Sequence, residues 1–275
     1  MRTVKEWRLL AYEKMPCYEN MAIDECMIKF YEKTRRPILR LYGWSPAAIS
    51  IGKHQNPLSD INIEACTDDD MAIVRRITGG GAILHDDELT YSLVCSEDDI
   101  NCKNQPVKAS FEKLNSFIMN FYREMGLKPA YAKDAAKKAR LGAVSAFCFS
   151  GSEEYDIMVK GKKIGGNAQC RKKDVIFQHG SIPFSSSEER AAKYFNLRID
   201  FGNFTTLKDA IKKKTDPAEA AKRLESAFKR TFKFRLKEEK LTDKEKELVD
   251  KFVIEKYSSD EWNIKGDSNN GRRDC

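Results

Sequence analysis

Apolar side chains recur along this chain with two different periods, and each period predicts one type of element. Between Phe111 and Met125 they are three and four residues apart, which predicts an amphipathic helix. The same spacing predicts a helix over 20–31. Short helices are expected in the C-terminal third, where Asp216-Pro217-Ala218-Glu219 and Thr242-Asp243-Lys244-Glu245 have the composition of helix starts.

Alternation of apolar and polar residues predicts strands elsewhere in the chain. Tyr155, Ile157 and Val159 alternate in this way, and Gly161 predicts a turn into an antiparallel neighbour. The other strands are predicted over 6–12, 38–42, 47–52, 72–76, 82–84, 89–94, 163–169 and 175–184.

Three consecutive glycines interrupt this pattern in Arg75-Arg76-Ile77-Thr78-Gly79-Gly80-Gly81-Ala82-Ile83-Leu84-His85-Asp86. Glycines cost conformational entropy, so a chain tends to keep them where its backbone turns sharply or lies against a ligand. Their N–H groups can line a site for anionic or carbonyl oxygens. Two interpretations are open, a hairpin between two strands and a wall of a binding site. The flanking Arg-Arg and His-Asp pairs favour the site.

A second glycine-rich stretch, Gly161–Gln169, places Lys163 on a predicted strand before Gly165-Gly166. A lysine supplies a point charge for a carboxylate, a phosphate or a developing oxyanion. A hairpin turn with a solvated Lys162 is the alternative, and it explains Lys163 less well. The three histidines, His54, His85 and His179, fall near predicted strand ends, and His85 is a candidate for lining the site.

Composition and charge indicate a folded globule. The chain has 275 residues, of which 41% are hydrophobic, and no apolar run approaches the roughly 18 residues of a membrane span. The first residues lack the apolar core of a signal peptide, so we expect a cytoplasmic protein. Residues 1–100 carry 12 Lys and Arg against 17 Asp and Glu, whereas 101–275 carry 37 against 25. The net charge of the second part, +12, could attract an acidic partner.

The eight cysteines are scattered, and none is in C-x-x-C spacing. With three histidines in the chain, a zinc site has little support, and we expect mostly free thiols. A cysteine becomes a nucleophile where nearby positive charge favours the thiolate. Cys148, in a small apolar loop before a strand, is one candidate, and Cys170 beside Arg171 is its rival.

Together these motifs resemble the lipoate-protein ligase and octanoyltransferase family. Its first signature is similar to Arg75-Arg76-x-Thr78-Gly79-Gly80-Gly81-x-x-x-His85-Asp86. Its second is similar to Gly161-x-Lys163-Ile164-x-Gly166-x-Ala168-Gln169 with Gln178-His179-Gly180-Ser181. Its ends resemble Asn20-Met21-Ala22-x-Asp24-Glu25, Arg40-Leu41-Tyr42-Gly43-Trp44 and Asp260-Glu261-Trp262-Asn263. The resemblance covers nearly the whole chain.

The resemblance implies an α/β fold like that of biotin and lipoate ligases. A mostly antiparallel central sheet would carry helices outside and hold an acyl chain in a pocket. We expect one catalytic domain over residues 1–263, with 186–263 as its helical C-terminal part. Residues 264–275 are polar and rich in Gly and Asn, and we expect them to form a flexible tail.

Within this family, Cys148-Phe149-x-x-x-x-x-Tyr155-Asp156 resembles the nucleophilic cysteine motif of the octanoyl-acyl carrier protein:protein transferases. The resemblance implies that Cys148 and Lys163 are catalytic. The residues that it implies for substrate binding are Arg75, Thr78, Gly79, Gly80, Gly81, His85, Gly166, Ala168 and His179.

The implied reaction moves octanoyl from acyl carrier protein through a Cys148 thioester to a lysine of a lipoyl domain. Such domains occur in glycine cleavage H protein and in dehydrogenase E2 subunits. Both partners would be small acidic domains, for which the basic 101–275 region is a plausible docking face. No metal, cofactor, nucleic acid or membrane is expected to take part.

Two alternatives remain open. Gly81-Ala82 resembles the ligase form of the signature, whereas the transferases carry Arg-Gly at these two positions. Asn167 stands at a position that is usually a serine in the second signature. An ATP-dependent lipoate-protein ligase would bind lipoyl-AMP and Mg2+ with Lys163 and the triple glycine, and Cys148 would then be incidental. The other alternative is a non-catalytic protein that binds lipoyl domains or acyl groups.

Overall fold

A computed structural model describes residues 5–135, 154–196 and 201–266. The strands in these residues are β1 (Glu6–Met15), β2 (Ile38–Trp44), β3 (Ala48–Ile51), β4 (Ala72–Arg75), β5 (Ile83–His85), β6 (Glu88–Cys95), β7 (Pro129–Tyr131), β8 (Ile157–Val159), β9 (Lys162–Lys163), β10 (Gly166–Lys172), β11 (Val175–Pro183) and β12 (Arg235–Glu238). The α-helices are α1 (Cys17–Thr34), α2 (Pro57–Asp60), α3 (Ile63–Asp68), α4 (Val107–Glu124), α5 (Ala132–Ala135), α6 (Glu188–Tyr194), α7 (Leu207–Ile211), α8 (Pro217–Phe232) and α9 (Asp243–Phe252). Single π-helical turns follow at Val253–Tyr257 and Glu261–Lys265.

The central sheet has six strands in the order β10-β11-β6-β2-β1-β12. The pairs from β10 to β2 are antiparallel, and β1 lies parallel to both β2 and β12. The predicted α/β fold with a mostly antiparallel central sheet is therefore confirmed. The strand β12 is a difference from the prediction, since we expected helices alone after residue 186. Its sequence, Arg-Leu-Lys-Glu, is too polar and too short to show a strand period.

Helices cover both faces of this sheet. Residues 39 and 41 of β2 point to one face, where they join an apolar cluster with Leu114 of α4 and Phe228 of α8. Residues 38 and 42 point to the other face, which α1 and α9 cover. Alternate side chains of a strand point to opposite faces, so both faces of this strand are buried.

The two amphipathic helices of the C-terminal third begin at their predicted positions. Asp216 accepts a hydrogen bond from the backbone N–H of Glu219 (2.8 Å) at the start of α8, with Pro217 in the first turn. Thr242 and Glu245 form a complete capping box at the start of α9. Within the three described ranges, every helix is too short or too polar to cross a lipid bilayer.

A second, three-stranded sheet has the order β4-β3-β5 and carries the triple glycine at one end. β3 pairs parallel with β4 and antiparallel with β5, so β4 and β5 are separated by β3. The hairpin interpretation of the glycines is therefore wrong. The glycines instead carry the chain from one edge of this sheet to the other. A third small sheet, β7-β8-β9, presents Lys163.

Candidate functional site

A narrow cavity lies between the central sheet and the triple glycine. Most of its wall is apolar, and Met21, Tyr42, Trp44 and Ile83 supply the large apolar groups. Six of the residues predicted to bind substrate lie on this wall: Gly79, Gly80, His85, Gly166, Ala168 and His179. The sequence motifs thus meet in one place.

At two positions of the wall there is a clear physical reason why the residue is a glycine. Gly80 has a φ of 98°, a conformation that costs little without a Cβ atom. Gly180 of β11 lies so close to β10 that an added Cβ would be 2.2 Å from Oδ1 of Asn167. Any larger residue at 180 would push β10 away and deform the wall between them.

The two neighbouring arginines of the first signature have different roles. Arg76 lies on the cavity wall, and its guanidinium donates to the carbonyls of Gly79 (3.1 Å) and Gly81 (3.0 Å). It therefore fixes the shape of the triple glycine. Arg75, which we predicted to bind substrate, donates instead to backbone carbonyls of Lys53 (2.9 Å), Trp262 (2.8 Å) and other residues. Adjacent residues of an extended chain face opposite ways, and this places Arg75 away from the cavity.

His85 on the cavity wall takes part in a chain of buried hydrogen bonds. Its Nδ1 is 2.8 Å from the Glu88 carboxylate, and its Nε2 is 2.6 Å from the Ser50 hydroxyl. Arg76 donates to the same Ser50 oxygen (2.7 Å). The Ser50 proton is therefore directed to Nε2, which leaves Nδ1 protonated to donate to Glu88. The ring of Trp44 stacks on that of His85 with centroids 3.7 Å apart, so the imidazole is held on three sides.

A second polar cluster is centred on Asp24 of α1, which is 2% exposed. Its carboxylate accepts from the Arg40 guanidinium (2.8 Å), the Tyr42 hydroxyl (3.0 Å) and the Ser92 hydroxyl (2.7 Å). His179 lies 3.7 Å from the same carboxylate. A buried charge needs such partners, because burial removes its hydration.

The environment of this cluster shifts the pKa values of two groups. Burial acts to raise the pKa of Asp24, but the neighbouring His179 and Arg40 outweigh it and leave the pKa lowered. Burial lowers the pKa of His179, and Asp24 opposes this in part. The neutral imidazole of His179 is thus favoured. Its Nε2 is 2.7 Å from the Thr78 hydroxyl, which ties the residue before the triple glycine to β11.

Lys163 lies on β9, and its ammonium is 2.7 Å from the Asp156 carboxylate. Both side chains are buried, at 4% and 5% exposure. Asp156 also lines a surface groove that is more open than the cavity. This groove shares Gly79, Gly80, Asn167 and Ala168 with the cavity, so the two spaces meet at the triple glycine. The pair Lys163–Asp156 therefore belongs to the surroundings of that junction.

The predicted nucleophile, Cys148, lies outside the described residues. Cys170 is buried on β10. Burial raises the pKa of the Cys17 thiol to about 12 and that of the Cys66 thiol to about 11. A thiol with such a pKa is a poor nucleophile near neutral pH. In the described ranges, no cluster of three or more His, Cys, Asp and Glu side chains is arranged to hold a metal ion.

Several residues of the site are not among those that the sequence predicts to be catalytic or to bind substrate. They are Asp24, Arg76, Trp44, Asn167 and Glu88. All of them lie inside motifs that the resemblance uses or within two residues of such a motif. The motifs thus point to this part of the chain, but a single sequence does not show which motif positions face the cavity.

The fold and the cavity define a class of protein. A mixed sheet, a cavity walled by a triple glycine and a buried lysine near its opening are the features implied for the biotin and lipoate ligase type of catalytic domain. The model of the lipoyl protein ligase A/B catalytic domain matches residues 16–229. The chain belongs to this family, and the resemblance seen in its motifs is confirmed.

Relatives of known name match over nearly their whole length. Octanoyltransferase LipM of Bacillus subtilis strain 168 is 32% identical over 273 residues, which are 94% of this chain and 98% of the relative. Octanoyltransferase LipM of Geobacillus kaustophilus is 34% identical with the same coverage. A Thermoplasma acidophilum protein, described as a candidate lipoate protein ligase and solved with bound lipoic acid, aligns at a TM-score of 0.78. It is 25% identical and covers 94% of this chain and 99% of its own.

Proposed function

We propose that this protein is an octanoyltransferase of protein lipoylation. It moves octanoyl from acyl carrier protein through a thioester on Cys148 to a lysine of a lipoyl domain. One observation carries this proposal. A mostly apolar cavity opens at the triple glycine beside the Lys163–Asp156 pair, in a chain similar to LipM octanoyltransferases over nearly their full length.

The first step transfers the acyl group to the enzyme. The Cys148 thiolate attacks the carbonyl carbon of the octanoyl thioester. A new C–S bond forms to Cys148 as the C–S bond to the carrier breaks. The carrier leaves as a thiolate and takes up the proton that Cys148 gave up.

The second step transfers the acyl group to the acceptor. The unprotonated ε-amine of the acceptor lysine attacks the carbonyl carbon of the acyl-cysteine. A C–N bond forms, the C–S bond to Cys148 breaks, and the amine proton passes to the sulfur. Because a thioester is already activated, this scheme needs no ATP, cofactor or metal ion.

Lys163 and the triple glycine support both steps in this proposal. Each step passes through a tetrahedral intermediate with a negative oxygen, which a fixed positive charge and backbone N–H groups stabilise. Asp156 fixes the position of the Lys163 ammonium at 2.7 Å. The wall glycines and Ala168 allow the acyl chain to lie against the backbone. Each buried methylene contributes about 0.8 kcal/mol to binding.

The partners follow from the same chemistry. The donor is octanoyl-acyl carrier protein, and the acceptors are lipoyl domains such as those of glycine cleavage H protein or dehydrogenase E2 subunits. The basic 101–275 region is the docking face for these acidic domains. The reaction takes place in the cytoplasm, without nucleic acid or membrane.

A second candidate function is ATP-dependent lipoate ligation. The T. acidophilum relative has the same fold with bound lipoic acid, and Gly81-Ala82 resembles the ligase form of the signature. In that reaction Lys163 and the triple glycine would hold lipoyl-AMP with Mg2+, and Cys148 would take no part.

One experiment separates these functions. The reduced protein is incubated with octanoyl-acyl carrier protein, and its intact mass is recorded before and after addition of a lipoyl domain. We expect an octanoyl adduct that forms in the wild type, is lost in Cys148→Ala and persists in Cys170→Ala. The adduct should disappear when the lipoyl domain gains the same mass.

Other outcomes would each reject the proposal in a recognisable way. An adduct that is lost in Cys170→Ala and not in Cys148→Ala would identify Cys170 as the nucleophile. The absence of any adduct, together with AMP release from ATP and lipoate, would identify a ligase. Binding of a lipoyl domain with neither reaction would indicate a non-catalytic binder.

A further inference from the structure

The acyl cavity has an open end and a closed end. The open end is marked by Gly79, Gly80, Asn167 and Ala168, which it shares with the exposed groove. From there the wall continues across β11 and β6 to Tyr42 and Trp44 on β2 and to Met21 on α1. These last three side chains are at most 3% exposed. They therefore form the wall that an acyl chain entering from the glycines would meet last.

The distance between the two ends follows from the sheet order. β10 carries Ala168, and β2 carries Tyr42, with β11 and β6 between them. Three spacings of about 4.8 Å give roughly 14 Å from one end of the cavity to the other. The cavity thus runs across the strands, and its far end sets how long an acyl chain it accepts.

Two of the three side chains at the closed end are fixed by polar contacts. The Trp44 indole N–H donates to the Thr90 hydroxyl (2.8 Å), and the ring stacks on His85. The Tyr42 hydroxyl donates to Asp24 (3.0 Å), and the Arg40 guanidinium lies 3.9 Å from the centre of its ring. Neither ring can move without breaking these contacts.

Met21 differs from Tyr42 and Trp44 because no polar contact among the described residues fixes its side chain. Its side chain has no N–H or O–H group, so packing alone holds it, and its three rotatable bonds let it fill irregular space. It projects from α1 rather than from the sheet, and Asp24, one helical turn later, anchors the helix to β2 through Arg40. The backbone at 21 is therefore fixed, while the length of the side chain at 21 decides where the cavity ends.

We propose that Met21 sets the acyl chain length that this enzyme accepts. This inference rests on the proposed octanoyl transfer and names the specificity-determining residue of that reaction. A shorter side chain at 21 lengthens the cavity and admits decanoyl or dodecanoyl groups. A bulkier one shortens it and favours hexanoyl. One methylene in an apolar pocket changes selectivity by about ten-fold or more.

The test is a competition between donors. Equimolar hexanoyl-, octanoyl-, decanoyl- and dodecanoyl-acyl carrier proteins are mixed with the enzyme, and the intact mass shows which acyl group is loaded. We expect Met21→Ala to raise the decanoyl-to-octanoyl loading ratio at least about ten-fold, and Met21→Phe to raise the hexanoyl-to-octanoyl ratio. If Met21→Ala does not fold, Met21→Val replaces it as the variant with a shorter side chain.

Met27→Ala is the matched control. Met27 is on the same helix and is 2% exposed against 3% for Met21, but it is not part of the described cavity wall. Its variant should lose stability without a change in the loading ratios. Equal shifts of the loading ratios in Met21→Ala and Met27→Ala would mean general loosening of α1 and would overturn the inference. Loading ratios that stay at the wild-type values in every Met21 variant would overturn it as well.

Failure of the proposed function is distinguishable from failure of this inference. If the wild type loads no acyl group, transfer is rejected, and the chain-length preference is then measured by the rise in Tm with free hexanoate, octanoate, decanoate and dodecanoate. A longer preferred fatty acid in Met21→Ala than in the wild type would still support the role of Met21. An identical preference would overturn it.

Discussion

The two faces of β2 and β6 share one backbone but differ in chemistry, because one is mainly apolar and the other combines apolar side chains with a buried polar cluster. On one face Leu39, Leu41 and Leu93 meet the aromatic side chains of α4 and α8 in an apolar cluster. On the other face, Arg40 and Ser92 surround Asp24 of α1, beside the cavity. Each face is equally buried. The comparison shows that burial alone does not say what a residue contributes to this protein.

The apolar face stabilises the fold by removing hydrocarbon from water, and each large side chain contributes roughly 1.5–3 kcal/mol in doing so. The polar face gains less, because the desolvation of two charges offsets much of their attraction. What the polar face supplies is a fixed geometry. Asp24, Arg40 and Tyr42 hold α1 and β2 in the positions that close the cavity.

The largest effect on stability is expected from breaking the buried charge pair. Arg40→Met leaves Asp24 buried without its cation, and we expect the free energy of unfolding to fall by about 3–5 kcal/mol. Urea denaturation measures this loss. The double variant Asp24→Leu/Arg40→Met removes both charges and should recover much of it. A loss below about 1 kcal/mol in the single variant would contradict the view that Arg40 compensates the charge of Asp24.

A variant of the apolar face provides the comparison. Leu114→Ala removes a fully buried side chain of α4, and such changes cost about 3 kcal/mol. Its loading of octanoyl per folded molecule should remain that of the wild type, whereas Arg40→Met should load less even where both are folded. Equal activities would mean that the polar face does not shape the site.

The difference between the faces also explains what the sequence could predict. The apolar face follows from periodicity, which predicts a helix over Phe111–Met125 close to the observed Val107–Glu124. The motifs predicted six residues of the cavity wall, since glycines and histidines stand out locally. The pairing of β3 with both β4 and β5, and the contacts of Arg75 with Trp262, depend on residues far apart in the chain. No local pattern carries that information.

A smaller effect is expected from pH. Because burial lowers the pKa of His179 in the folded state, the unfolded chain binds its proton first, near pH 6.5. The free energy of unfolding should therefore fall as the pH drops below about 6.5 towards the folded-state pKa. His179→Gln should remove this part of the pH dependence, while His54→Gln, at an exposed position, should keep it.

The carboxylate of the same cluster acts in a separate window. The pKa of Asp24 is lowered because His179 and Arg40 outweigh the opposing effect of burial, so its contribution is present above about pH 4 and is lost in more acidic solution. Urea denaturation between pH 4 and 8 measures the contribution of His179 to the free energy of unfolding separately from that of Asp24. A pH dependence in this range that is unchanged by His179→Gln would contradict the assignment.

The smallest effect is expected at the capping box of α9, which covers the polar face at a distance from the cavity. The Thr242 hydroxyl accepts from the Glu245 N–H (3.3 Å), and the Glu245 carboxylate accepts from the Thr242 N–H (2.8 Å). Thr242→Ala removes one of these bonds and should cost about 1 kcal/mol, whereas Thr242→Ser should retain the cap. Octanoyl loading should be unchanged in both variants, because Glu245 still pairs with Arg8 and holds α9 against β1. Reduced loading in the alanine variant alone would show that α9 also controls the cavity.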